Sequence, residues 1–452
     1  MPMRRQVTNS FRRHQRDGKV VRHCLLTTNC HGLPMIRPRL IPLVVAFLSL
    51  CLHGVAIAQG IAVPIGGALK YDNDAVWSRL VELAGGKGAR YAVFATAAAD
   101  PDKSAASIVD ALNRYGAIAE HIPVAPNLKV PDYRAAAQDP ALIAKVKAST
   151  GIYFAGGAQE RITRALYLAD GKPTPMLQAI WEVFNKGGVV AGSSAGAAIM
   201  STTMIRDAPD KLAVLKFGAR KGQEIDRGLG FVGPDVFIDQ HFIKRGRYGR
   251  ALPVMAQTGY KLGLGVEENS AAIIRGNDVE VIGARGVLVI DLTEASRDAA
   301  VGEFNLRNAR LSLLGNGDRY NFKTRTATPS MAKLKGSRLD PNDKNYTPYY
   351  MADEFYADAL GDSMILGLMT NFIDNTQKEV IGLVLPRPDT KDAKPDLGFE
   401  FRFRKGSDSL GHFTSASGGE EYTVLNIYLD IQPIMLSQPL YRPYRGSNIG
   451  GK

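Results

Sequence analysis

The sequence predicts an α/β protein: a mainly parallel sheet with helices on both faces that carries a tight serine turn, followed by a smaller strand-rich C-terminal region. Three observations carry that expectation. Between residues 61 and 191, short apolar runs alternate with segments of helical period. One of those runs ends in Gly192-Ser-Ser-Ala-Gly196. Beyond about residue 300 the helical period fades and segments such as Phe399-Glu-Phe-Arg-Phe403 alternate instead.

In order, residues 61–65 form an apolar run stopped by Gly66-Gly67. Residues 74–84 place Val76, Trp77, Leu80, Val81 and Ala84 at helical spacing before Gly85-Gly86. Residues 91–95 read as a buried strand. Pro101 opens a helix with Ile108, Val109 and Leu112 on one face, ended by Gly116, and 117–122 is the next strand. Residues 131–148 read as a helix or a pair of helices, since Pro140 interrupts them. A strand at 151–155, helices at 159–166 and 175–185, and the strand from Val189 into the serine turn complete the series. Strands joined by crossover helices pair in parallel, and such sheets carry their ligands beyond the carboxyl ends of the strands. Further on, residues 279–292 alternate around Gly283 and Gly286 and predict a hairpin. Residues 424–431 read as a strand, residues 353–370 as containing one helix, and 441–452 as a loose tail. The expected organisation is an N-terminal extension over 1–58, a catalytic domain over 59–300 and a strand-rich domain of unknown role over 301–452.

The chain of 452 residues is 45% hydrophobic and 22% charged. That composition excludes a disordered, collagen-like or coiled-coil chain. The net charge of +12 points toward nucleic acid until its distribution is considered. Nine of the 56 Lys/Arg and one of the 44 acids lie in 1–58, so residues 59–452 carry 47 and 43, a net of +4. Without a nucleic-acid motif, the excess is a property of the extension. There, a basic start at Met35-Ile-Arg-Pro-Arg39, an uncharged apolar run over 40–52 and Ala56-Ile-Ala58 follow the order of a secretory signal cleaved after Ala58. Thirteen apolar residues fall short of the roughly 20 that span a bilayer, so no stable membrane anchor is expected. Met35 then reads as the natural start. Cys24, Cys30 and Cys51 all precede the cleavage point, so the exported protein carries no thiol.

The chemistry gathers around Ser194. It sits at the centre of Gly192-x-Ser-x-Gly196, between an apolar strand and a segment able to start a helix. In so tight a turn the Oγ stands exposed, and the Ala195 N–H can face a developing oxyanion. Of the three His beyond the extension, His121 opens a sheet-edge segment without polar company and His412 falls in a Gly/Ser-rich loop. His241 ends the strand that begins at Val236 and is surrounded by Asp239, Gln240, Arg245, Arg247 and Arg250, which makes it the best base candidate. The orienting carboxylate can be Glu267 or Glu268, after the strand 262–266, or Asp239, which shares a strand face with His241.

Taken together, Gly156-Gly-Ala-Gln159, Gly192-Ser-Ser194-Ala-Gly196, Asp239-Gln-His241 with its arginines, and Gly265-Val-Glu-Glu268-Asn-Ser resemble the cyanophycinases, serine exopeptidases of the peptidase E clan, over about residues 60–300. The resemblance implies Ser194 as nucleophile, His241 as base and Glu268 as acid, with an oxyanion hole at the Gly157 and Ala195 N–H groups. It places Gln159, Asp239, Gln240, Arg245, Arg247 and Arg250 in the substrate pocket. It implies hydrolysis of cyanophycin, a polyaspartate bearing Arg on each side-chain carboxyl, to β-Asp-Arg dipeptides through an acyl-enzyme. The signal and the long C-terminal region match secreted relatives. No metal or organic cofactor is implied, no nucleic-acid partner is expected, and a homodimer is. Two other readings compete: a secreted aspartyl dipeptidase or isoaspartyl-type peptidase of the same clan, and a non-catalytic polymer-binding protein on a peptidase fold.

Overall fold

A computed structural model describes residues 59–387 and 391–442. The segment read as a secretory signal, the three cysteines and most of the C-terminal tail lie outside the described residues. Five strands, Ile61–Ile65, Val189–Ser193, Gly151–Phe154, Arg90–Phe94 and Ile118–His121, run parallel in that spatial order. Ser270–Arg275 adds antiparallel to Ile61–Ile65, and Asp278–Gly283, Arg319–Asn321 and Thr326–Thr328 extend that edge. The α/β architecture is thus the expected one. The helices begin where their sequences say they should: Asp100, Asp139 and Thr174 each cap the helix that a proline opens, and the side-chain oxygen takes an otherwise orphaned N–H. Residues 131–148 resolve into a pair, Tyr133–Ala136 and Pro140–Lys147.

A second sheet lies against the first. Its order is Phe355–Tyr356, Glu379–Val384, Leu397–Thr414, Glu421–Met435, Leu306–Leu314, Val287–Asp291, Leu262–Val266 and Val236–Gln240, with Ser337–Leu339 on the side of the long third strand. Four corrections follow. The boundary expected near residue 300 separates no bodies, because strands from 236–291 and from 306–435 share this sheet, and the described residues form one compact unit. The hairpin expected over 279–292 does not form. Asp278–Gly283 pairs in the first sheet and Val287–Asp291 in the second, so the glycines between them turn the chain from one sheet to the other. His412 is not in a loop but in the strand Leu397–Thr414, buried, opposite Thr423. The helix sought in 353–370 runs later, Met364–Ile373.

One apolar cluster fills the space between the sheets, joining Val190 and Phe154 to Ile238, Leu264 and Val289. Each such aliphatic side chain withdrawn from water contributes about 1.5–3 kcal/mol. The helices Asp74–Leu83 and Pro101–Arg114 cover the first sheet's outer face, and Tyr248–Thr258 and Met364–Ile373 cover the second's. Among the described residues no helix is long and apolar enough to cross a membrane.

The C-terminal region also braces the loop that follows His241. The Tyr248 hydroxyl donates to the Ala359 carbonyl. The Ser363 N–H is shared by the carbonyls of Ile243 and Lys244 at 3.2 and 3.3 Å. Lys211 Nζ donates to the carbonyls of Arg245 and Leu360 at 2.9 and 2.8 Å, and Lys244 pairs with Asp362 at 2.9 Å.

Candidate active site

Ser194 stands at the end of the strand Val189–Ser193 and the start of the short helix Ala195–Ala198. Its φ of 54° and ψ of −108° form the strained elbow that turns the side chain outward. The flanking glycines are dictated by crowding. A Cβ on Gly192 would lie 2.4 Å from the Gly196 carbonyl oxygen, and one on Gly196 2.4 Å from that of Phe154.

The Ser194 Oγ lies 2.9 Å from His241 Nε2, and His241 Nδ1 lies 2.6 Å from Glu268 Oε1. A carboxylate only accepts, so Nδ1 carries the proton and the Nε2 lone pair is left to face the hydroxyl. Burial pushes the imidazole below its usual pKa; Arg245 and Arg247 add to that, while the bond to Glu268 opposes it. The ring is therefore neutral near pH 7, the form that can accept a proton.

Three consecutive carbonyls at the end of the strand Ile61–Ile65 hold this arrangement. Ile65 accepts the Ser194 N–H at 2.9 Å, Gly66 the His241 N–H at 2.7 Å, and Gly67 the N–H of Asn269, the residue after Glu268, at 2.8 Å. Ser194, His241 and Asn269 all have positive φ, 54°, 48° and 57°. Each turn is thus held in an unfavourable backbone conformation by one acceptor of a single short segment. Gly67 was legible in the sequence only as a strand stop. Its place is more specific, since a Cβ there would lie 2.3 Å from His241 Cε1.

The three candidate acids separate cleanly. Glu268 reaches His241. Glu267 is buried and turned to the other side, where one oxygen accepts the N–H groups of Ile243 and Lys244 at 2.6 and 2.8 Å. Burial raises its pKa, against those two hydrogen bonds. Asp239 is buried and takes the Arg250 fork, at 2.9 Å from Nε and 2.8 Å from Nη2. Burial alone would raise its pKa, but the guanidinium groups of Arg250 and Arg247 outweigh it and hold the carboxyl below its usual range. The expectations that Asp239 could orient His241 or touch substrate are therefore corrected. A strand face is shared by neighbours two apart, but His241 lies past the strand's end in a positive-φ turn, and the face is lost there.

A cavity of about 490 Å³ opens at Ser194 and brings together Gly157, Gln159, Gln240, His241 and the three arginines. The arginines differ. Arg250 is buried on Asp239. Arg247 donates to the Gln240 carbonyl at 2.7 Å, and burial pulls its pKa down to about 10. Arg245 has a side chain 51% exposed and its nearest carboxylate, Glu268, at 3.9 Å. Gln159 donates to the carbonyls of Ile205 and Arg206 at 2.8 and 2.6 Å, fixing a loop that supplies Arg206, Asp207 and Pro209 to the cavity wall. The sequence reading missed those three, because no period or motif marks where a loop returns. Gln240 Oε1 lies 3.5 Å from Ser194 Oγ. Gly156 packs against Ser194, where a Cβ would lie 3.2 Å from the serine Cβ. Among the described residues, the N–H groups of Gly157 and Ala195 donate to no protein acceptor, whereas the Ala158 N–H is taken by the Ala97 carbonyl at 2.9 Å. Among the described residues no group of three or more His, Cys, Asp or Glu side chains could hold a metal ion.

The chain is similar to several known proteins. Residues 65–282 match the model of peptidase family S51. A cyanophycinase of Geminocystis herdmanii (strain PCC 6308) is 32% identical over 275 residues, 58% of this chain and 93% of that protein. A cyanophycinase of Synechococcus elongatus is 30% identical over 279 residues, 59% of this chain and 80% of that one. A solved peptidase from an acI-B1 Actinobacterium is 22% identical, covers 58% of this chain and 97% of that one, and superposes with a TM-score of 0.43. The chain belongs to peptidase family S51 and is a serine peptidase of the cyanophycinase type.

Proposed function

We propose that this peptidase is exported and hydrolyses cyanophycin to β-Asp-Arg dipeptides through an acyl-enzyme on Ser194. The observation that carries the reading is the chain of contacts from Ser194 through His241 to Glu268, opening into a cavity fringed by arginine. His241 takes the serine proton as Oγ attacks the carbonyl of an aspartyl unit, and Glu268 stabilises the imidazolium that forms. The N–H groups of Gly157 and Ala195 receive the oxyanion. His241 then returns the proton to the leaving amine, and water, activated by the same imidazole, releases the acyl group. Arg245 is the arginine open to substrate. The free anions of the polymer are the carboxylates of its arginyl units, which a guanidinium fork can pair bidentately. Purified cyanophycin incubated with the wild-type protein should release the dipeptide, and the Ser194→Ala protein should not. Absence of dipeptide from the polymer, with turnover of Asp-X dipeptides, would sink the reading. Export is read from the segment ending at Ala58, and mass spectrometry of the secreted protein should find Gln59 first.

A further inference from the structure

A second groove lies beside the active-site cavity. Pro209 lines both, and the second, of about 850 Å³, is the larger. One wall is the helix Lys211–Phe217. The other is made by Ala357, Asp358 and Leu360 and by residues 384–387 and 391–393 of the C-terminal region, which lie beyond the family match ending at residue 282. The groove offers both signs of charge and an aromatic face. Asp210 and Asp358 present exposed carboxylates, and Lys391 is exposed. Lys211 spends two of its three N–H donors on the Arg245 and Leu360 carbonyls. Phe217 is 54% exposed, and the Lys394 ammonium lies 5.9 Å from its ring centroid, so the ring already receives a cation on its face.

That combination matches one chemistry. Each repeat of an arginyl-polyaspartate carries a guanidinium, which pairs with carboxylates and lies over aromatic faces, and a free carboxylate, which pairs with ammonium groups. We propose that the groove is a second binding site for the substrate polymer, taking arginyl repeats of the same chain beyond the unit whose bond Ser194 attacks. The inference rests on the cyanophycin reading above. It assigns the C-terminal wall a task the active site alone does not require: holding a long substrate while its end is cleaved. A short oligomer fills the cavity at Ser194 and gains nothing from the groove.

The test compares polymer with a two-repeat β-Asp-Arg oligomer, using wild type, Phe217→Ser, Lys391→Glu and Ala393→Trp. The last fills the groove from an exposed lining position and removes no packed side chain. The expected result is a KM for polymer raised roughly tenfold, a change of about 1.4 kcal/mol, in each variant. The oligomer kcat/KM should stay within about twofold of wild type, which also reports an intact fold. Unchanged polymer KM in all three variants overturns the groove and leaves the proposed function standing. Equal losses on both substrates also overturn it, since the variants would then be acting on the active site or the fold. If the wild type leaves the polymer intact, the reading of the substrate falls and the groove falls with it.

Discussion

The nucleophile and its two partners belong to different sheets. Ser194 ends a strand of the first, where parallel strands are buried on both faces and read as near-continuous apolar runs. His241 and Glu268 follow Val236–Gln240 and Leu262–Val266, a parallel pair at one edge of a mostly antiparallel second sheet. The difference teaches where precision has to be supplied. A nucleophile elbow is a local device, complete in nine residues. The distance from Ser194 to His241 is a relation between two sheets, and only contacts across their seam can fix it.

Four measurements break or sharpen that comparison. Ser194→Ala and His241→Ala remove the groups that meet across the seam, and each is expected to lower kcat by about 10⁴–10⁶ with little further loss in the double variant. A double variant far worse than either single would mean the two residues act separately. Glu268→Gln stays within the second sheet's side of the site and should cost less, about 10²–10⁴ in kcat, because it orients and stabilises His241 without touching the reacting atoms. Asp239→Asn should act on stability instead, lowering it by about 3–5 kcal/mol in a denaturant titration, since it strands the buried Arg250. If Glu268→Gln were near wild type while folded Asp239→Asn was inactive, the orienting role would move to Asp239. Gly67→Ala pushes a methyl into the His241 ring from the first sheet, and a displacement of that size is expected to cost roughly 10- to 100-fold in kcat with the fold retained.

The smallest effect is on pH. The acid limb of kcat/KM reports the free-enzyme imidazole, and activity rises as His241 loses its proton. Because burial depresses that pKa, the midpoint should fall below the ordinary 6.5. Removing the nearby cation in Arg245→Ala should move the limb up, and removing the anion in Glu268→Gln should move it down. Shifts in the opposite directions would mean the limb belongs to another group.

The contrast between the sheets also explains what was legible. The first sheet's strands and helices were readable in order, because strand, cap, helix and glycine follow one another locally. Ser194 was readable for the same reason. The second sheet's membership was not, since nothing in residues 287–291 says that they pair with 262–266 rather than with the nearer 278–283. For the same reason an apparent boundary near residue 300 proved to run through a continuous sheet. Residue spacing alone left Glu267, Glu268 and Asp239 open. A positive-φ turn at His241 and the loop beyond it decide which carboxylate faces the ring, and neither leaves a periodic mark.

The carbonyls of Ile65, Gly66 and Gly67 have a consequence for how this site can change over generations. No substitution deletes a main-chain carbonyl, so the seat that aligns the three site-bearing turns is proof against ordinary point replacement of its own acceptors. It is exposed instead to changes of length. One residue inserted or lost between Ile65 and Gly67 would offset the three acceptors from the turns they hold and shift nucleophile, base and acid together. Substitutions here act through the side chain they add, since a Cβ would lie 2.0 Å from the Glu267 carbonyl oxygen at Gly66 and 2.3 Å from His241 Cε1 at Gly67, whereas insertions and deletions act on the acceptors themselves and should find this stretch among the least tolerant places in the chain.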